Sequence, residues 1–200
     1  MLNLNENQDV YINQNFKSLH LTATEIIAKE FDNCTFTQCN FSDTAFRNCK
    51  FYECSFMNCN LSMISIKGCS FFDTAFEETK AIGINWTQAA WPTIKLSSPL
   101  RFFKCVLNHC SFFGLFLREI SIIECSAKEV DFREADCLDA DFTDTDLESS
   151  LFGKTNLTRA DFSTASNYHI DVFENELKQA KFSLPEAVNL LSCLGIELVD

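Results

Sequence analysis

The sequence predicts an all-β solenoid in which each five-residue repeat forms one wall. Three observations predict it: an apolar position that recurs every five residues, a small residue two positions earlier, and mostly polar residues at the remaining positions. Between Phe16 and Phe182 the apolar position occurs 34 times, and 30 of these places hold Phe, Leu, Ile, Val or Trp. Because 16 of the 21 phenylalanines lie in this phase, the repeat organises most of the chain.

A period of five fits neither an α-helix nor a continuous β-strand. Five residues advance a helix by about 500°, which spreads the apolar side chains over every face. In a strand, five is an odd number, so successive apolar residues would point to opposite faces. The chain must therefore turn once per repeat, and a fixed internal period is typical of solenoids.

The small position explains how the interior is filled. Of the 34 residues that lie two positions before the apolar residue, 22 are Cys, Thr, Ala or Ser. One bulky and one small side chain per wall fill a narrow four-walled tube at the density of a protein core. Residues 140–144, Ala-Asp-Phe-Thr-Asp, show the whole pattern.

Three segments follow one another along the chain. We expect residues 1–15 to cap the N-terminal end, residues 16–182 to form the β-helix, and residues 183–200 to form a helix and a tail. The repeat shifts by one residue near residues 97–101. Since proline fits only the edges and bulges of sheets, we expect an irregular coil over residues 91–101.

The prolines beside this shift are Pro92 and Pro99. The Trp91–Pro92 bond is a candidate for the cis form.

The C-terminal segment reads as a capped helix. Residues 183–186, Ser-Leu-Pro-Glu, form the pattern of a capping box with proline in the first turn. We expect the helix to run to about Leu194 and to stop at Gly195. Its apolar residues spread wider than one stripe, so one flank covers the last coil and another is left for a partner. The predicted homodimer interface consists of Leu190, Leu191, Leu194, Ile196, Leu198 and Val199.

Cysteine usage indicates buried free thiols. Nine of the eleven cysteines occupy the small inward position, where a thiol serves as a small apolar filler. An odd number of thiols favours a reducing compartment, and the polar N-terminus is unlike a secretory signal, so we expect a cytoplasmic protein. The sequence has no Cys-x-x-Cys pair, so neither a metal nor a cofactor is expected. The sequence contains no run of 18 apolar residues, so a membrane partner is not expected.

The net charge of −12 is concentrated in the second half. Residues 1–100 carry ten acidic and seven basic side chains, whereas residues 101–200 carry eighteen and nine. Ten carboxylates lie at outward positions between residues 124 and 148, and we call this set the acidic belt. The acidic belt consists of Glu124, Glu129, Asp131, Glu134, Asp136, Asp139, Asp141, Asp144, Asp146 and Glu148.

Two interpretations of this charge remain open. Outward charge keeps a solenoid soluble and discourages association. Alternatively, the rod resembles duplex DNA, which carries one charge per about 1.7 Å of axis, whereas −12 over roughly 40 Å gives one per about 3.4 Å. A narrow acidic rod would fit a basic DNA-binding groove, and the same charge disfavours direct binding to nucleic acid.

The sequence does not predict an enzyme. Its three histidines, His20, His109 and His169, are scattered along the repeat, and its five glycines form no phosphate-binding loop. A general acid needs a partly buried carboxyl group, and a convex belt on a filled tube provides no such environment.

The repeat units resemble the pentapeptide repeat family, whose repeat reads roughly Ala-Asp/Asn-Leu/Phe-x-x. The resemblance covers residues 16–182 and implies a right-handed quadrilateral β-helix with four repeats per coil, about 8.5 coils in all. Several segments are also similar to the albicidin-resistance group of this family, and the end is similar to the Qnr and microcin B17 immunity groups. These segments are residues 83–87, 167–171 and 182–187, and Leu-Gly-Ile-Glu-Leu at residues 194–198.

This resemblance implies a function. Members of these groups are dimeric DNA mimics that bind bacterial DNA gyrase, and often topoisomerase IV, and protect it from poisons. Dimerisation through the C-terminal ends would place the two acidic halves at the centre. Several Qnr proteins carry long loops, whereas the interruption here is a shift of one residue, so we expect an albicidin-like poison rather than a quinolone. The alternative is a scaffold solenoid that binds another protein.

Overall fold

The computed structural model describes residues 8–92 and 99–197, and over these residues the chain forms the predicted four-walled β-helix. Each wall is a short strand or a single bridge that pairs in parallel with the next coil. The strands are β1 (Val10–Ile12), β2 (Asn15–Lys17), β3 (Glu25–Ile27), β4 (Glu30–Asp32), β5 (Thr35–Thr37), β6 (Ala45–Arg47), β7 (Lys50–Tyr52), β8 (Ser55–Met57), β9 (Ser70–Phe72), β10 (Thr74–Glu77), β11 (Leu100–Phe103), β12 (Ser121–Ile123), β13 (Asp161–Phe162) and β14 (Lys181–Phe182). Two 3-10 helices, η1 (Trp86–Gln88) and η2 (Glu186–Leu194), complete the regular elements of this part of the chain.

The strands form four parallel sheets that follow the walls. One sheet contains β1, β4, β7 and β9, and another contains β2, β5, β8, β10, β11 and β12. β3 pairs with β6, and β13 pairs with β14. Isolated bridges continue the ladders where the walls are too short to count as strands.

Four columns of inward-facing residues define the walls. The first wall carries Phe16, Phe36, Phe56, Phe76, Phe102, Ile122, Phe142, Phe162 and Phe182. The second wall carries Leu21, Phe41, Leu61, Ala81, Leu107, Ala127 and Leu147. The third wall carries Ile26, Phe46, Ile66, Trp86, Phe112, Phe132 and Phe152. The fourth wall carries Tyr11, Phe31, Phe51, Phe71, Leu117, Cys137, Leu157 and Leu177.

Aromatic rings hold the coils together in two geometries. Along a wall the rings stack, as in Phe36 and Phe56, whose centroids lie 4.6 Å apart at 7°. Across a corner they meet edge to face, as in Phe31 and Phe36 at 5.3 Å and 74°. Both arrangements suit the ring quadrupole, and burial of each ring contributes about 1.5–3 kcal/mol.

One coil is longer than the others. Phe56 pairs with Phe76 after 20 residues, whereas Phe76 pairs with Phe102 after 26. The predicted irregularity is therefore an insertion of six residues and not of one. Seven steps of 20 residues and one of 26 separate Phe16 from Phe182, so the β-helix has eight coils. The predicted wall residue Leu96 lies outside the described residues.

Most corners are made by a residue with a left-handed backbone. This residue is the second after the inward apolar residue, and its φ is, for example, 49° at Asn33 and 54° at Gln38. Gly68, Gly83 and Gly114 occupy the same corner position. A side chain at this position points away from the core, so the corners present whatever residue the sequence places there.

The small inward residues also donate hydrogen bonds to the preceding coil. The hydroxyl groups of Thr79, Thr145 and Thr155 bond to backbone carbonyl oxygens 23 residues earlier, at 3.1, 2.8 and 3.0 Å. The thiol of Cys49 contacts the carbonyl oxygen of Ile26 in the same way at 3.4 Å. The eleven cysteines are free and ten are buried, so their predicted role as apolar fillers is extended by a weak donor role.

The β-helix begins earlier than predicted. Tyr11, which lies in the segment assigned to an N-terminal cap, is fully buried and stacks on Phe31 at 5.3 Å. β1 and β2 therefore belong to the first coil.

The last coil also departs from the predicted register. Asn167 is exposed and Val172 is only half-buried, although both were predicted to face inward. Tyr168 and Ile170 are buried there instead, and the ring of Tyr168 packs 5.8 Å from Phe162.

The C-terminal helix ends as predicted and begins differently. η2 ends at Leu194, and Gly195 has a left-handed backbone with a φ of 63°. It is a 3-10 helix rather than an α-helix, and the predicted capping box does not form. Its N-cap residue is Pro185, without a side-chain hydrogen bond. Among the described residues, the cis peptide bond is Leu184–Pro185 and not Trp91–Pro92.

Candidate acidic interface

All ten residues of the acidic belt lie on the outside of the rod. Each is exposed or half-buried, and together they surround the coils from Ile122 to Leu147 on all four walls. The structure therefore brings them together as a ring and not as a pocket.

The acidic belt contains two structural classes. Asp131, Asp136, Asp141 and Asp146 each precede an inward residue and accept a hydrogen bond from the backbone N–H two residues later. The distances from Oδ1 to these nitrogens are 3.1, 3.4, 3.0 and 3.2 Å, respectively. Such local bonds stabilise the turn, so these four side chains contribute to the fold as well as to the charge.

The second class lies at the corners. Glu124, Glu129, Glu134, Asp139 and Asp144 have φ values of 51–59°. They follow one another at intervals of five residues, so they occupy all four corners, and Glu124 and Asp144 share one corner on successive coils. Glu148, the tenth member, directly follows the inward residue Leu147.

Basic residues neutralise much of the belt. Lys128 bonds to both Asp146 and Glu148 at 2.8 and 2.7 Å. Arg159 binds Asp139 with two hydrogen bonds of 2.6 and 2.5 Å. The remaining pairs are Lys104 with Glu124 at 3.4 Å, His109 with Glu129 at 3.3 Å, Arg133 with Asp131 at 2.8 Å, and Arg118 with Asp136 at 2.7 Å.

Three carboxylates of the belt have no basic partner within the described ranges: Glu134, Asp141 and Asp144. Because exposed ion pairs are weak and screened by salt, the paired members still add to the negative field around the rod.

The ion pairs keep their carboxylates ionised. Hydrogen bonding to the Arg133 guanidinium lowers the pKa of Asp131. Arg159 lowers the pKa of Asp139 in the same way. Asp131 and Asp139 therefore stay ionised at neutral pH.

The C-terminal segment exposes apolar side chains. Leu191, Leu194 and Ile196 of the predicted dimer interface are 37%, 44% and 53% exposed. Leu190 is half-buried against the core. Leu198 and Val199 lie outside the described residues.

Sequence reasoning missed several exposed apolar residues. Leu184 at 79% and Val188 at 40% extend the C-terminal apolar surface. Phe113, Leu151 and Phe173 lie on the third wall at 42%, 47% and 73%. Their positions one residue before or after an inward residue could have identified them, because an outward aromatic is unusual in a polar wall.

Other kinds of site find little support in the described structure. Residues 8–92 and 99–197 contain no group of three or more His, Cys, Asp or Glu side chains that could hold a metal ion. In the same ranges no helix has the length and apolarity needed to cross a membrane. A cavity of about 10 Å³ near Ile66, Phe71 and Trp86 is apolar and too small for a ligand.

Family comparisons cover most of the rod. A model described as a pentapeptide repeat region matches residues 29–100, and a model of pentapeptide repeats matches residues 110–148 and 140–166. The chain belongs to the pentapeptide repeat family. A comparison with curated protein sequences found no match.

Solved pentapeptide repeat structures share the fold. Two trypsin-treated variants of QnrB1, a plasmid-mediated fluoroquinolone resistance protein, are 19% and 17% identical, with TM-scores of 0.66 and 0.68. The matches cover 92% and 96% of this chain and 100% and 98% of those chains.

HetL, from the cyanobacterium Nostoc sp. strain PCC 7120, is 16% identical with a TM-score of 0.52, over 87% of both chains. It is described as involved in the regulation of heterocyst differentiation. At these identities the likeness establishes a common fold, and one fold serves proteins with different functions.

Proposed function

We propose that this protein is a DNA mimic that binds bacterial DNA gyrase and protects it from a topoisomerase poison such as albicidin. Topoisomerase IV is the second target that the family resemblance implies. The observation that carries the proposal is a filled, eight-coil rod on which every corner from Glu119 to Asp144 presents a carboxylate.

The spacing of the corner carboxylates supports the comparison with DNA. Four corners per coil and about 4.8 Å between coils give one corner carboxylate per about 1.2 Å of axis from Glu124 to Asp144. Duplex DNA carries one phosphate charge per about 1.7 Å. The corner carboxylates are therefore spaced at least as closely as DNA phosphates over a short length, although Glu124, Glu129 and Asp139 have basic partners.

The first half of the rod lacks this density. Its corners include neutral residues such as Ala23, Asn33 and Gln38 between the acidic ones. The corner carboxylates are therefore concentrated in the second half of the rod, before the basic corners Lys154 and Arg159.

The exposed apolar residues of that helix support a homodimer. Leu191, Leu194 and Ile196, with Val188, would be covered by a second copy. Such a dimer, joined end to end, places the two acidic halves at the centre and doubles the length of the mimic.

The identity of the poison is part of the proposal. A repeat interrupted by one residue, without a long loop, disfavours a quinolone as the poison. The coil after Phe76 is in fact six residues longer than the others. Similarity to QnrB1, a fluoroquinolone resistance protein, gives a reason to include this class beside albicidin. The proposed role is binding without catalysis, in the cytoplasm where gyrase acts.

A supercoiling assay tests the proposal. Purified gyrase and relaxed plasmid are incubated with albicidin or ciprofloxacin, with and without the protein, and both supercoiling and trapped cleavage complexes are measured. We expect the protein to restore supercoiling and to reduce trapped complexes with at least one poison. Failure with both poisons, together with no binding to gyrase, would favour the scaffold function instead.

A further inference from the structure

The later half of the rod concentrates its exposed apolar residues on a single wall. Between residues 99 and 182 the large hydrophobic residues that are exposed are Phe113, Leu151 and Phe173, and all three lie on the third wall. Phe113 follows the inward residue Phe112, and Phe173 lies three coils later, about 14 Å along the axis, where the register is shifted by one residue. Isolated surface hydrophobics are ordinary, but their restriction to one wall indicates a binding surface.

Gly153 leaves a notch within this surface. It lies between Arg133 of the preceding coil and Glu174 of the following coil. A Cβ atom at Gly153 would lie 3.7 Å from Arg133 Cγ and 3.7 Å from Glu174 Oε2. These are ordinary contact distances, so the wall has room for a side chain that the sequence does not supply.

Carboxylates without basic partners flank the same wall. Within the described chain, Glu134 at its corner, Glu174 beside Gly153 and Asp171 near Phe173 form no ion pair. Lys154 lies between the two glutamates, while Arg133 is paired with Asp131 at 2.8 Å and lies 5.8 Å over the ring of Phe113. The surface is therefore apolar at its centre and mainly acidic at its edge.

We propose that this third-wall surface, from Phe113 to Phe173, is the face of the rod that contacts gyrase. The inference rests on the proposed function and adds the orientation and the specificity of binding. Its occupant is a protein groove with basic side chains and an apolar floor. The unpaired carboxylates attract the basic groups, and the aromatic residues bury against the floor.

This division of roles explains how a mimic distinguishes one protein from many. A ring of charge attracts every basic DNA-binding groove, because phosphate contacts carry no sequence information. DNA presents no aromatic side chain on its outer surface. Apolar contacts on the third wall therefore favour a partner that recognises this protein specifically.

Substitution of Gly153 gives the sharpest test. The variant Gly153→Arg fills the notch with a long cation, and Thr158→Arg makes the same charge change at the same repeat position on the fourth wall. Binding to the intact gyrase holoenzyme is measured for the wild type and both variants. We expect Gly153→Arg to weaken binding about tenfold and Thr158→Arg to weaken it less than about threefold.

A second variant covers the case in which Gly153→Arg does not fold. The double variant Phe113→Ser/Phe173→Ser keeps the charge, so we expect weaker binding with an unchanged salt dependence. Phe72→Ser, an exposed aromatic of the early fourth wall, is its control.

The outcomes separate the two proposals. If the wild type binds gyrase and the third-wall variants bind like their controls, this inference is wrong and the proposed function stands. If the wild type does not bind gyrase at all, both are wrong.

Discussion

The hydroxyl oxygen of Ser183 accepts a hydrogen bond of 2.8 Å from the backbone N–H of Thr164, one coil away. The carboxylate of Glu186 accepts another, at 2.7 Å, from the N–H of Asn167. An open end of a β-helix exposes unpaired backbone groups, and these two side chains satisfy donors of the last complete coil. The segment that was predicted to cap a helix therefore caps the solenoid.

Removal of this cap should destabilise the protein. We expect Ser183→Ala to lower the free energy of unfolding by about 0.5–1.5 kcal/mol, because the Thr164 N–H loses its partner. Urea unfolding followed by circular dichroism measures the change. Ser163→Ala is the matched control on the preceding turn, and an equal effect of the two substitutions would contradict the capping role.

The aromatic stack of the third wall should dominate stability. The ring of Phe132 lies between Phe112 at 5.4 Å and Phe152 at 5.2 Å. We expect Phe132→Ala to cost about 3–5 kcal/mol, since it removes a fully buried ring from the middle of the stack. Phe72→Ala, at an exposed ring, should cost less than about 0.5 kcal/mol in the same urea titration.

The ten buried cysteines should be unreactive in the native protein, because a reagent in solution does not reach them. Burial raises the pKa of Cys54 and of Cys110 to about 12, which suppresses the reactive thiolate. Cys193, in the C-terminal helix, is only half-buried. Titration with a thiol reagent at mildly alkaline pH should label Cys193 in the native state and all eleven cysteines in urea. Rapid labelling of several thiols in the native state would show that the coils open readily.

Stability should fall at acidic pH. The Arg133 guanidinium holds the pKa of Asp131 below its ordinary value of 3.8. Below pH 3.8 the unfolded chain binds more protons than the folded chain. The stability contributed by this pair is therefore present above pH 3.8 and is lost as the pH falls through the folded pKa of Asp131. Unfolding midpoints measured from about pH 5 to pH 3 should decrease, and Asp131→Asn should flatten the decrease. An identical pH dependence in the variant would exclude a role for this pair.

The period of five was sufficient to predict the walls, because each repeat by itself supplies one large apolar side chain to the interior. Phe16 to Phe76 and Phe102 to Phe162 face inward for this reason. The length of the coil between Phe76 and Phe102 was underestimated. Its six extra residues equal one repeat of five plus one residue, so the phase of the apolar position shifts by only one. At the last coil, Tyr168 rather than Asn167 faces inward, and its large ring packs against Phe162 and Phe182.

The acidic belt was predicted as a set, but its two classes follow from the register of the coils. Asp141 bonds to the backbone N–H of Thr143, whereas Asp144 lies at a corner without a basic partner among the described residues. The cap by Ser183 was not predictable from local sequence, because the donor at Thr164 lies one coil away.

The corner carboxylates provide the most direct test of DNA mimicry. The variant Glu124→Gln/Glu129→Gln/Glu134→Gln/Asp144→Asn removes four charges from the belt and leaves the turn-stabilising aspartates in place. Its control, Asp43→Asn/Glu53→Gln/Asp73→Asn/Glu78→Gln, removes four charges from equivalent corners of the first half, all with positive φ. Glutamine and asparagine already occupy corners at Gln38 and Asn33, so both variants should fold.

The measurement is competition with DNA for gyrase. Labelled duplex DNA is bound to the enzyme, and the concentration of each protein that displaces half of it is determined. We predict that the wild type and the first-half variant displace DNA at similar concentrations, whereas the belt variant requires about tenfold more. Equal displacement by both variants, or no displacement by the wild type, would contradict the account.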